Sequence, residues 1–102
     1  MTYVSERQYV AATHPALPGH FPLAPIVPGA WLLTLVEACC REHLRMAATV
    51  AELDFVRFRQ PLPPDQSFRI ELDVESGGRI RFAIVSDGVK IADGRLALRV
   101  TG

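Results

Sequence analysis

Two rhythms of hydrophobic and polar residues divide this chain, and each predicts an element. From Pro28 to Met46 runs an apolar stretch, Trp31-Leu-Leu-Thr-Leu-Val-Glu-Ala-Cys-Cys40, followed by the more polar Arg41-Glu-His-Leu-Arg45. Proline suits the first turn of a helix and no breaker follows, so the pattern predicts one helix over Pro28–Met46. Its first half is apolar nearly all round, which predicts burial on several sides. Downstream the period drops to two. Ala51 to Gln60 alternates imperfectly, as a strand covered in part on both faces does, and Pro61, Pro63 and Pro64 end it. Phe68–Val74 and Arg79–Ile84 alternate cleanly around Gly77-Gly78, Asp87-Gly88 marks a second hairpin, and Arg95–Val100 supplies a last strand. Upstream, Glu6–Thr13 predicts a first strand with weak alternation. One long apolar helix beside one antiparallel sheet is an α+β arrangement, and curling the sheet around the helix keeps that helix dry.

The interval from His14 to Pro28 holds five prolines, so neither a helix nor an interior strand persists there. A stiff loop of this length is uncommon in a compact domain unless it serves a function.

Composition narrows the partners. The 102 residues suit one domain over the whole chain, and 11 basic against 11 acidic residues leave no global field for nucleic acid or an anionic membrane surface. At 49% hydrophobic residues so short a chain struggles to bury its apolar surface alone, which predicts an oligomer, most simply a symmetric dimer. Cys39 and Cys40 are adjacent on the predicted helix and point apart, so neither a disulfide nor a zinc site follows from them. The uncharged run Phe21 to Val36 is too short to span a bilayer and is interrupted by prolines. Without a secretory pattern at the start, a cytoplasmic location is expected.

Candidate chemistry concentrates in the proline-rich loop. His20 lies in Gly-His-Phe-Pro just ahead of the helix, and imidazole exchanges protons near neutral pH. The backbone N–H groups of Gly29 and Ala30 at the helix start are placed to polarise a thioester carbonyl, and Gly29 has no side chain to block the approach. From spacing alone, a loop histidine holding a local hydrogen bond is the simpler reading.

Gly19-His20-Phe21-Pro22, then Pro25-Ile-Val-Pro-Gly29 leading into an apolar helix, resembles the signature of the 3-hydroxyacyl-carrier-protein dehydratases of fatty-acid synthesis. The longer His14-Pro-Ala-Leu-Pro-Gly-His20 is especially similar to the small dehydratases of aryl-polyene-type gene clusters. Asp54-Phe-Val-Arg-Phe-Arg-Gln-Pro61-Leu-Pro-Pro-Asp65 continues the likeness, which covers nearly the whole chain in order. The resemblance implies a hot-dog fold that dimerises through its sheets, with two substrate tunnels at the dimer interface. His20 then matches the catalytic histidine, the Ile26 carbonyl the group that orients its ring, and the Gly29 N–H the donor to the thioester oxygen. It implies an acyl chain on a carrier protein or on coenzyme A as substrate, and neither a cofactor nor a metal.

Two positions depart from that pattern. The family's second catalytic group is a carboxylate fourteen residues after the histidine, donated across the dimer, and here that position is Thr34. Threonine exchanges no proton near neutrality, though it can hold a water or a substrate hydroxyl. Glu37, displaced by about 4.5 Å along the same helix face, is the substitute acid if apolar neighbours raise its pKa; pairing with Arg41 at i,i+4 is the simpler alternative. Leu23 stands where the family has glycine and is expected to reshape the tunnel mouth. Trp31 walls an acyl tunnel or is ordinary core. His14 and His43 read as structural or surface groups. Arg57, Arg59, Arg79 and Arg81 form a basic rim for a carrier, or are solvated strand residues. Three readings stay open: a dehydratase that forms or rehydrates 2-enoyl thioesters, a degenerate acyl-binding subunit or heterodimer partner, and a hot-dog acyl thioesterase.

Overall fold

The structure, a computed structural model, describes residues 2–11 and 27–100. In chain order it contains β1 (Thr2–Val4), α1 (Gly29–Leu44), β2 (Ala48–Phe58), β3 (Arg69–Val74), β4 (Arg79–Ser86) and β5 (Val89–Val100). The strands form one antiparallel sheet in the order β1-β3-β4-β5-β2, with α1 packed on it, which is the hot-dog arrangement expected above.

The clean alternation downstream of the helix is realised as a one-sided core. Ile70 and Leu72 of β3, Ile80, Phe82 and Ile84 of β4, and Ile91 and Leu96 of β5 are buried against Leu32, Val36, Cys39 and Cys40 of α1. The four helix residues follow i, i+4, i+7, i+8 spacing, so they form a single stripe. Burial on several sides, as expected from the apolar first half, does not hold within one chain: Leu33 and Leu35 are only half-buried and Thr34 is exposed. The β4–β5 hairpin closes at Asp87-Gly88, where φ values of 55° and 77° meet the demand of a two-residue turn for positive φ at both positions.

Several boundaries differ from the sequence pattern. The first strand is Thr2–Val4, paired with β3; of the expected strand Glu6–Thr13, the described residues 6–11 contribute an isolated bridge from Gln8 to Phe68, and residues 12–13 lie outside the described residues. Ser5 ends the pairing because its hydroxyl accepts the Ile70 N–H at 2.9 Å. β2 begins three residues before Ala51, and β5 begins six before Arg95. In β5 the buried pair Ile91-Ala92 and Gly94 interrupt the alternation that would have betrayed the longer strand.

The helix start is tied to the far end of β2. The Phe58 ring lies where a side chain on Gly29 would stand, so that a Cβ built there would come within 2.6 Å of its Cζ. Glycine leaves room for that ring, whose half-exposed tip would have to move aside for a side chain here, and is convenient for ligand approach as well. Gly29→Ala is expected to destabilise by about 1 kcal/mol, at the low end of overpacking, through this overlap. In a Phe58→Ala background the same change should cost much less, and a double-mutant cycle from urea denaturation measures the difference. Equal costs in both backgrounds would contradict the contact.

Candidate functional site

The helix start presents donors. Pro28 adopts φ −60°, ψ 140° and offers no side-chain cap, while its carbonyl accepts from the N–H groups of Trp31 and Leu32. The N–H groups of Gly29 and Ala30, one turn too early for an intrahelical carbonyl, point out of the helix where its dipole is positive. Nearby, the Val27 N–H donates to the Leu62 carbonyl at 2.7 Å, which fastens the chain entering the helix to the β2–β3 connection. A cavity of about 340 Å³ opens here, bounded by Val27, Gly29, Leu32, Phe58 and Leu62 among others. His14, His20, Leu23 and Ile26, which the sequence pattern assigns to this end of the helix, lie outside the described residues.

Eight residues further along α1, Glu37 makes the second tie to β2. Its Oε2 accepts the Val50 N–H at 2.8 Å and its Oε1 accepts from Arg41 at 3.0 Å, while the same guanidinium donates to the Ala48 carbonyl at 3.3 Å. The backbone donor, with help from Arg41, holds this carboxyl below its ordinary pKa, against the opposing effect of burial. The expected raised pKa is thus reversed. Apolar neighbours do surround the position, but a carboxylate that accepts a backbone N–H and a guanidinium is stabilised as the anion. Thr34, one turn earlier, donates its hydroxyl proton to the Ala30 carbonyl at 3.1 Å.

The two ties enclose a second cavity. Between Gly29 and Glu37 the helix rises about 12 Å, whereas an extended strand covers about 26 Å between Val50 and Phe58. Two register shifts in β2, between Val50 and Glu52 and between Leu53 and Phe55, fall inside this interval, and bulges of this kind allow a strand to bend. Alongside lies an apolar cavity of about 210 Å³ lined by Leu33, Thr34, Glu37, Val50, Leu53 and Leu96. Leu53, on the edge strand β2, is 41% exposed.

Other candidates take structural positions. Trp31 is half-buried and packs against the core. Burial pushes the Cys39 thiol up to about 11 and the Cys40 thiol up to about 12, so neither is a nucleophile near neutrality. His43 stacks on Tyr3 at 4.2 Å and joins the helix end to β1. The arginines expected as a basic rim are each paired: Arg57 and Arg59 with Asp93, Arg79 with Glu52 and Asp54, Arg81 with Glu75. Among the described residues no group of three His, Cys, Asp or Glu is placed to hold a metal, and no helix is long and apolar enough to cross a membrane. The Gly29–Phe58 and Glu37–Val50 contacts were missed by sequence reasoning. Only the Glu37–Arg41 spacing signalled part of them.

This geometry has known counterparts. The family model described as ApeI-like, ApeI dehydratase, matches residues 3–95. The 3-hydroxyacyl-[acyl-carrier-protein] dehydratase FabZ of Thermomicrobium roseum is 29% identical over 99 residues, covering 86% of this chain and 62% of its own length. The FabZ of Desulforamulus reducens is 32% identical over 75 residues, covering 64% and 51% respectively. The chain thus spans between half and two thirds of the curated relatives it matches. The dehydratase heterocomplex ApeI:P from Xenorhabdus doucetiae shares the fold with a TM-score of 0.82 at 19% identity, over 94% of this chain and 93% of that one. A mutant of the fluoroacetyl-CoA-specific thioesterase FlK superposes with a TM-score of 0.70 at 14% identity, over 98% and 86%. With its hot-dog architecture and a family match over nearly its full length, the chain belongs to the ApeI-like dehydratase family.

Proposed function

We propose that this chain, as a single domain, supplies one half of a composite site for the reversible dehydration of 3-hydroxyacyl thioesters, and that the general acid comes from a partner hot-dog subunit. The observation that carries the reading is Glu37, whose two carboxylate oxygens are already engaged by Val50 and Arg41. Thr34 stands at the family's carboxylate position with its own proton committed to Ala30. Neither group is an acid for a leaving hydroxyl.

The remaining roles follow the family pattern. His20, oriented by the Ile26 carbonyl, takes a proton from C2 of the substrate. The Gly29 N–H, with Ala30 beside it, receives the charge that develops on the thioester oxygen. The C3–oxygen bond then breaks as a carboxylic acid from the partner gives up its proton, and water leaves with the 2-enoyl thioester formed. Leu23 shapes the entrance, and Trp31 backs the pocket behind the helix start. The substrate is borne on an acyl carrier protein or on coenzyme A, in the cytoplasm.

Two features support a partner. The β2 edge carries exposed Leu53 and Phe58, and a sheet edge of this kind pairs readily with another strand. A similar fold occurs in a dehydratase heterocomplex. A homodimer through the same edge brings together two chains that both lack the acid, and so serves as the acyl-binding alternative.

The test is dehydration of a 3-hydroxyacyl-carrier protein by the purified chain alone and mixed with a family member that carries the helix carboxylate. Slow or absent turnover alone, restoration by mixing, and loss of the restored activity in His20→Ala of this chain are expected. Full turnover by the chain alone that disappears in Glu37→Gln would restore Glu37 as the acid. Release of free thiol in place of enoyl product would favour thioesterase chemistry.

The structural role of Glu37 predicts its own pH dependence. Because the folded carboxyl titrates below its unfolded counterpart, its stabilisation is complete above the ordinary carboxylate range and is lost as pH falls through the folded value. Glu37→Gln should therefore cost on the order of 1 kcal/mol near neutrality and progressively less in urea melts taken below about pH 4. A deficit that grows on acidification would contradict the assignment.

A further inference from the structure

We infer that Glu37 is the end stop of the acyl cavity and limits the chain length this site accepts. The inference rests on the thioester reading of the helix start and adds the substrate class to it. Gly29 and Ala30 mark where the thioester carbonyl is held, and Leu33, Thr34 and Glu37 follow from them along the helix at the three- and four-residue spacings that define one face. The same three residues line the apolar cavity of about 210 Å³, with Val50, Leu53 and Leu96 opposite. A chain laid along this face meets Leu33 and Thr34, whose hydroxyl is turned back to the Ala30 carbonyl, before it reaches the carboxylate.

Three observations make that carboxylate a wall. Its oxygens are fixed by Val50 and Arg41, so it cannot swing aside without giving up both bonds. Its side chain is only 25% exposed, and it lines the cavity between α1 and β2. A methyl terminus pushed beyond it would displace those bonds or strip solvent from an ion, and either is costly.

The distance sets the class. Eight helical residues separate Gly29 from Glu37, a rise of about 12 Å. An extended chain advances about 1.2 Å per bond, one third of what an extended peptide residue covers in three bonds. The cavity therefore accepts acyl groups up to roughly ten carbons from the thioester, of medium length and with an apolar tail.

The experiment measures the affinity of the full chain for saturated acyl-pantetheine thioesters of about four to sixteen carbons, the span that brackets that limit. In the wild type, affinity should rise by about fourfold for each added methylene. The rise should break near ten carbons, the length derived above. Glu37→Ala should move the break to longer chains by several carbons, and Leu33→Trp, which fills the cavity from the helix side, should move it to shorter ones. Leu33→Trp also decides the matter if Glu37→Ala fails to fold. A break that stays in place in both variants, or none up to the longest chain in the wild type, overturns the end stop while leaving the thioester site intact. If no thioester of any length binds the folded protein, the thioester reading itself falls and the end stop with it.

Discussion

The structure depends on a mismatch of length between the helix and the edge strand it touches. α1 and β2 meet at Gly29–Phe58 and again at Glu37–Val50, with eight residues on each side of the loop so formed. Eight residues of helix rise less than half as far as eight of strand extend. Two bulges fall in that longer stretch of strand, and alongside them lies an apolar cavity. The rest of the core is filled by β3, β4 and β5 against one helical stripe. Toward β2 the helix keeps apolar surface at Leu33 that these strands leave uncovered.

That constraint also explains the division of labour among polar groups. The glycine at the helix start makes room for an aromatic ring that lies against it, and the same position leaves a backbone donor facing outward at the positive end of the helix. A carboxylate is needed further along because β2 offers it a backbone N–H at the bulge. Its spacing from the helix start invites a catalytic reading, but its partners assign it to the framework. A family built on an acid at the preceding turn has here a threonine bonded back to its own helix. Under the proposed function, the chain is a thioester-binding half that takes its acid from another subunit.

Much of this was legible in the sequence, for definite reasons. Clean alternation from Phe68 to Val74 and from Arg79 to Ile84 reports a sheet with one buried face, and Gly77-Gly78 and Asp87-Gly88 report the turns because positive φ leaves few other residues comfortable there. The helix was legible because nothing between Gly29 and Leu44 breaks it. The start of β5 was not, since Ile91, Ala92 and Gly94 depart from the period of two. Glu37 illustrates the limit most directly. Its Arg41 partner is four residues away and could be read from spacing, but Val50 is thirteen away and reaches it only through the fold. Phe58 and Gly29, farther apart still, left no periodic trace at all, and the roles of His20 and Ile26 rest on motif resemblance alone.

Whether the N–H groups at the start of α1 receive a thioester oxygen is read most directly by amide NMR of the chain titrated with a non-reactive acyl-thioester analogue. The Gly29 and Ala30 amide protons should shift downfield and saturate with the ligand, accompanied by Leu33 and Leu53 along the cavity. Saturable binding that leaves those two amides in place and moves residues on the outer face of β4 and β5 instead would contradict that role of the helix start.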